Sequence, residues 1–92
     1  MSDTAVDDPN RIRGALSREV LEYVAGALVD EPDAVVVETE ERRSGVLLRL
    51  RVAPSDMGRV IGRRGRVAQA IRTVVRAAGA REGVDATVDI VD

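Results

Sequence analysis

The hydrophobic period switches between helical and strand spacing along the chain, and the switches mark its elements. From Ala15 to Val29 apolar residues recur at helical spacing, with Val20, Leu21, Val24 and Leu28 on one face. Ser17 is placed to cap this helix, and Glu19 suits its first turn. Asp30-Glu31-Pro32-Asp33 ends it, because the residue before a proline is disfavoured in helical geometry. Ala34 to Glu40 alternates with period two: Val35, Val37 and Thr39 point one way, Val36, Glu38 and Glu40 the other. Glu41-Arg42-Arg43-Ser44-Gly45 is a turn, and Val46 to Ala53 a second strand. Its apolar face carries Val46, Leu48, Leu50 and Val52; Leu47, Arg49 and Arg51 face away. A hairpin of these strands pairs Arg49 and Arg51 with Glu38 and Glu40 on a solvent face, which also exposes Val36 and Leu47.

Pro54 stops the ladder and can start a helix, with Ser55 and Asp56 suited to the first turn, so Asp56 to Ile61 reads as a short helical stretch. The clearest helix runs from Arg66 to Ala78. Val67, Ala70, Ile71, Val74, Val75 and Ala78 share its apolar face; Arg66, Gln69, Arg72, Thr73 and Arg76 take the polar side. Gly79 is expected just past its end, residues 80–84 form a loop, and Asp85 to Val91 is a third strand with Ala86, Val88 and Ile90 inward. The order αββααβ implies an α+β fold in which helices cover one face of a three-stranded mixed sheet. Met1 to Gly14 is polar, carries Asp3, Asp7, Asp8 and Pro9, and has no sustained period. It is expected to be a flexible acidic tail (1–14) before one domain (15–92).

Composition narrows the chemistry. Cysteine and histidine are both absent, which removes disulfides, thiolate metal sites, the commonest transition-metal ligand and the usual general base at neutral pH. All 14 basic residues are arginine, so no phosphate loop of the Gly-x₄-Gly-Lys-Ser/Thr kind exists. No serine sits in a nucleophile elbow, and the adjacent acids Asp7-Asp8 and Glu40-Glu41 fall in the tail and near a turn. An enzyme is not expected, nor a cofactor or metal. No apolar run approaches the roughly 20 residues of a membrane span, and no signal-peptide pattern opens the chain; a cytoplasmic protein is the simplest expectation.

The net charge of −2 conceals a division. From Met1 to Glu41 there are eleven acids and three arginines; from Met57 to Arg81 there are seven arginines and no acid. This second block points to one directed positive face. At its centre stands Val60-Ile61-Gly62-Arg63-Arg64-Gly65-Arg66-Val67. Two glycines three apart let the backbone turn sharply and approach a ligand, and the helix that follows aims its N–H groups at the turn. Arg63 and Arg64 can pair with phosphate oxygens, and Arg59 and Arg66 flank them in the same basic block. With no Phe or Trp and a single Tyr, the sheet offers no stacking platform for bases. A nucleic acid would instead lay its bases on an aliphatic wall of Val60, Ile61 and Val67 with parts of the second strand, where exposed backbone groups could read their edges.

In motif and element order the chain resembles a KH domain of the prokaryotic, type II arrangement. Val60-Ile61-Gly62-Arg63-Arg64-Gly65 is similar to the family's V-I-G-x-x-G core. From Leu21 onward the likeness extends to the small stand-alone bacterial KH proteins. It is carried by Leu28-Val29-Asp30-Glu31-Pro32, Leu50-Arg51-Val52-Ala53-Pro54, Ala70-Ile71-Arg72-Thr73-Val74-Val75 and Val88-Asp89-Ile90-Val91. The acidic N-terminal extension is not part of that pattern. The resemblance implies single-stranded RNA binding, with the loop holding about four nucleotides. It also implies a bacterial cytoplasmic protein acting as a post-transcriptional regulator or RNA chaperone. The partners it implies are a second copy in a homodimer and a Jag-like KH protein, KhpB. Carried over by position, Gly62 and Gly65 shape the clamp, Arg63 and Arg64 touch phosphates, and Val60 and Ile61 support the groove. The alternative expectation is a protein-interaction module that keeps the KH fold and acts in a hetero-complex.

Overall fold

The computed structural model describes residues 13–92. Its helices are α1 (Ala15–Leu28), α2 (Met57–Ile61) and α3 (Arg66–Arg81); its strands are β1 (Val36–Arg42), β2 (Gly45–Arg51) and β3 (Asp85–Ile90). The sheet order is β1-β2-β3, with β1 antiparallel and β3 parallel to β2. Parallel pairing obliges the chain to travel back along the sheet before β3 can form. The segment from α2 through α3 makes that return, so the glycine-rich turn is part of the crossover. Leu21 and Ala25 from α1 and Ile71 and Val75 from α3 close over Val37, Val46, Leu48, Leu50, Ala86 and Val88, forming one core between helices and sheet. The α+β architecture and its order are those expected from the hydrophobic pattern.

The opposite sheet face carries the expected charge pairs. Arg49 Nη2 lies 2.7 Å from Glu40 Oε1, and Arg51 Nε lies 3.6 Å from Glu38 Oε1. The hydrogen bond from Arg49 and its charge, with Arg42 adding to it, hold the Glu40 carboxyl below its ordinary value. Val36 is exposed as expected, but Leu47 is only 8% exposed. The reason is position: Leu47 sits on the central strand, between Glu40 and Thr87, and is covered from both sides.

Boundaries moved where backbone hydrogen bonds were claimed locally. β1 begins at Val36 because Pro32–Ala34 closes a 3₁₀ turn, with Ala34 N–H donating to Glu31 O and Val35 N–H to Pro32 O. β2 stops at Arg51, ahead of a second such turn at Pro54–Asp56. α3 runs through Gly79 to Arg81. Gly79 is therefore not a terminator. A Cβ there would stand 2.8 Å from Val84 O and 2.9 Å from Ala86 Cβ, so glycine lets α3 press against the start of β3. The left-handed residue that ends the helix is Gly83, at φ +76°.

Ser17 does not cap α1. The helix starts at Ala15, behind Gly14 at φ +84°, and Ser17 is buried inside its first turn. The free N–H groups are taken by a residue 65 positions away: Glu82 accepts from Leu16 N–H, from Ser17 N–H at 2.9 Å and from Ser17 Oγ at 2.6 Å. One carboxylate thus caps α1 and ties it to the end of α3. Most of the expected tail, residues 1–14, lies outside the described residues. Of its last two, Arg13 donates to Arg42 O and stands 3.7 Å from Glu41 Oε1, and Gly14 is buried.

Two substitutions test these contacts. Glu82→Ala is expected to lower unfolding free energy by about 1–3 kcal/mol, since it leaves partly buried donors unpaired. In urea denaturation, Ser17→Ala should then cost less in the Glu82→Ala background than alone. Gly79→Ala should destabilise by about 1–3 kcal/mol through overpacking, despite alanine's better helix propensity.

Candidate nucleic-acid interface

α2 is too short to hold its own position, and a buried carboxylate holds it. Asp56, only 1% exposed, accepts Asp30 N–H at 3.0 Å and Glu31 N–H at 3.1 Å, joining the chain beyond α1 to the base of α2. Ser55 Oγ donates to Glu31 at 3.2 Å alongside. Sequence reading placed Asp56 in the first turn of its own helix; in the fold its side chain caps a neighbour. Arg59 completes the cluster, with Nε 3.3 Å from Asp56 Oδ1 and Nη2 2.9 Å from Asp30 Oδ2. The spacing of Asp56 and Arg59, three apart, was a visible signal for the pair; the burial of Asp56 was not.

At the end of α2 the backbone reverses. Gly62 N–H closes the helix on Gly58 O at 2.9 Å, and Gly62 takes φ 76°, ψ 172°, a region only glycine occupies readily. A Cβ at this position would overlap the Val67 side chain. The turn closes through Gly65 N–H to Gly62 O at 3.1 Å, and Gly65 itself has φ 74°. Between them Arg64 is left-handed, at φ 58° and ψ 25°. A left-handed arginine costs about 1–2 kcal/mol, and the surrounding structure must impose it. Gly65 starts α3 without a side-chain cap, leaving the helix start open to an outside acceptor.

The predicted residues divide into three groups. Arg63, Arg64 and Arg66 are exposed around the turn. Ile61 is 39% exposed beside it and Val67 half-buried beneath it, so both can present apolar surface. Val60 is fully buried in the core and supports the turn from within; it forms no part of an accessible wall. Arg59 projects from α2 but is engaged by Asp30 and Asp56. Among the described residues Arg43, Arg63, Arg64, Arg66, Arg72, Arg76 and Arg81 have no carboxylate in ion-pair range, whereas Arg13, Arg18, Arg42, Arg49 and Arg51 each have one and Arg59 has two. All of the unpaired cations but Arg43 belong to the basic block.

The proposed wall also shifts strand. β2 is central and its backbone groups are paired on both sides, so it has no free edge to offer. The free edge beside α3 belongs to β3. Val91 N–H bonds inward to Leu50 O at 3.0 Å, and alternation turns the backbone groups of Ile90, Val88 and Ala86 outward. Arg72 reaches this edge from α3, its Nε donating to Val88 O at 3.3 Å. Sequence reading had placed Arg72 only on the polar side of its helix.

With this geometry in place, comparison with known proteins identifies the family. The model of the KhpA/KhpB KH domain matches residues 18–90. The chain belongs to that family. It is 48% identical over 73 residues to the RNA-binding protein KhpA of Caldanaerobacter subterraneus subsp. tengcongensis, covering 79% of this chain and 97% of that one. It is 51% identical over 74 residues to the RNA-binding protein KhpA of Streptomyces coelicolor, covering 80% and 90%. A third relative, the RNA-binding protein KhpA of Clostridium acetobutylicum, shares 46% over 74 residues, 80% of this chain and 99% of its own. The matched span of this KH domain contains the whole turn and both helices that frame it. No helix among the described residues is long and apolar enough to cross a membrane.

The Asp56 cluster predicts that Asp56→Ala destabilises the domain by about 2–4 kcal/mol, because two backbone donors and one guanidinium lose a buried acceptor. Asp30→Ala, which removes only an exposed carboxylate, should cost under about 1 kcal/mol in the same denaturation assay.

Proposed function

We propose that this KH domain binds single-stranded RNA, with the Gly62–Gly65 turn against the phosphate backbone. The observation that carries the reading is the combination at the turn: a strained backbone presents Arg63, Arg64 and Arg66, and these three, like Arg72, Arg76 and Arg81 on α3, lack carboxylate partners. Gly62 and Gly65 keep side chains out of the approach, and the open start of α3 adds N–H donors. Ile61 and Val67 form the apolar support for bases beside the β3 edge. Relatives named RNA-binding protein KhpA at 46–51% identity support the same ligand. The protein would then act on transcripts in the bacterial cytoplasm, as a post-transcriptional regulator or RNA chaperone.

One small surface without stacking aromatics binds weakly, and a second KH unit would raise affinity through avidity. A homodimer, or a complex with a KhpB-type partner, supplies such a unit. Tyr23 on α1 and Val74 on α3 support protein contacts of this kind, since both stand exposed on the helical layer. The same residues favour the second reading, a protein-interaction module acting in a hetero-complex.

Fluorescence anisotropy with single-stranded RNA across a salt series separates the readings. Wild type should bind with log affinity falling about 2 per decade of salt, the slope for three neutralised phosphates on a single strand. Arg63→Asp with Arg64→Asp should abolish binding while circular dichroism and melting stay near wild type. Retained binding by this folded double variant refutes the clamp. RNase-resistant recovery of one protein from cells, without RNA crosslinks, would favour the interaction module.

A further inference from the structure

We propose that residues 1–12 lie along the unpaired arginines of α3 in the RNA-free protein and compete with RNA for them. The inference rests on the RNA-binding reading and adds a regulation to it: the chain carries its own anionic competitor. Residues 1–12 hold Asp3, Asp7 and Asp8 against a single cation, Arg11. The family match begins at residue 18, so this segment is no part of the matched KH domain. Arg66, Arg72, Arg76 and Arg81 mark α3 from its first residue to its last. They span about 22 Å of helix axis. Among the described residues none of them has a carboxylate partner. An acidic segment and a row of free guanidiniums therefore belong to one short chain.

Position and reach fit this occupant. α1 begins at Ala15, and Glu82, the residue after α3, binds its first N–H groups, so residues 1–12 join the domain beside the end of α3. Asp8 and Asp7 stand five and six residues before Arg13, a reach of roughly 16–22 Å for extended chain, which takes in Arg81 and Arg76. Asp3, ten residues before Arg13, reaches roughly 33–36 Å, more than the length of α3. Pro9 disfavours helical backbone at Asp8 and keeps that stretch extended. Tethering supplies an effective concentration in the millimolar range, so even a weak contact counts. Arg43 is also unpaired, but it follows Glu40 and Glu41 in the hairpin, and an acidic segment gains less there. Carboxylate and phosphate use the same guanidinium donors, so RNA must displace the segment. The competing account is a segment that only adds diffuse negative charge and repels RNA from a distance.

The test uses the full chain and a labelled uridine octamer, with Asp3→Asn, Asp7→Asn and Asp8→Asn combined in one variant. By anisotropy at low salt the variant should bind about threefold to tenfold tighter than wild type, the gain a tethered millimolar competitor withholds. The gap should close to within about twofold as salt rises, because salt screens exposed charges, so the variant shows the steeper salt dependence. In the RNA-free proteins at low salt, the Nε–H resonances of Arg76 and Arg81 should differ between wild type and variant and converge at high salt. Those of Arg49 and Arg51 should coincide throughout. Equal affinity at every salt concentration overturns the competition and leaves RNA binding intact. A tighter variant whose Arg76 and Arg81 resonances match those of wild type overturns the docking in favour of repulsion at a distance. Resonance changes confined to Arg43 place the segment on the hairpin and overturn the proposal as well. Binding of the octamer by neither protein overturns the RNA-binding reading, and the competition with it.

Discussion

At Gly62 the space a Cβ would occupy is already filled by Val67, and the backbone there is in a region that side-chain-bearing residues avoid. This is the constraint on which the rest of the interface depends. Because the chain can reverse in one residue, α2 and α3 meet without a long connection, and Val60 on one side and Val67 on the other both reach the core. The reversal forces the intervening residues outward. Arg63 and Arg64 stand exposed because nothing inside the turn can receive them, and Arg64 is left-handed because Gly62 and Gly65 bring the ends of the turn together. The strain there is offset by the packing of α2 and α3 on either side.

That turn needs a fixed base, and two carboxylates supply the framework. Asp56 gathers Asp30 N–H, Glu31 N–H and Arg59 near the loop end of the helical layer. Glu82 gathers Leu16 N–H, Ser17 N–H and Ser17 Oγ at the other end. Each links elements distant in sequence, and each satisfies donors that a helix end or a loop would otherwise leave unpaired. Between these two ends, contacts among Leu21, Ala25, Ile71 and Val75 are apolar and permit sliding; the carboxylates set the register. The arginines follow the same division. Those near acids are used up in internal pairs, and those of the basic block other than Arg59 have no carboxylate partner, so a chain of net charge −2 still presents a positive surface.

The hydrophobic pattern was enough to order the elements and to assign most of their inward faces, although Leu28 on α1 and Ala70 and Val74 on α3, expected inward, stand exposed at the margin of the core. Period and polarity are local properties, and Val37, Leu48, Leu50, Ile71, Val75 and Val88 are buried where alternation or helical spacing put them. The glycine pair and its arginines were legible for the same reason, since the conformation of a turn follows from its own few residues. What sequence alone misjudged was long-range. Ser17 looked like a cap and is a buried hydroxyl, because the cap came from Glu82. Gly79 looked like a stop signal and is a close-packing site, because β3 lies against it.

Strand neighbours decided the remainder. Leu47 was expected on a wet face, and being central covered it; β2 was expected to offer backbone groups, and being central consumed them. Of the two outer strands, β3 is the one whose edge lies beside α3, where Arg72 reaches it. The sequence by itself determined the elements, the greater part of their apolar faces and the glycine-bounded turn, because these depend on residues within a few positions of one another. Only the tertiary structure decided which strand offers an edge beside α3, which acids are buried and which arginines stay unpaired, because each of these depends on what the chain brings alongside from far away.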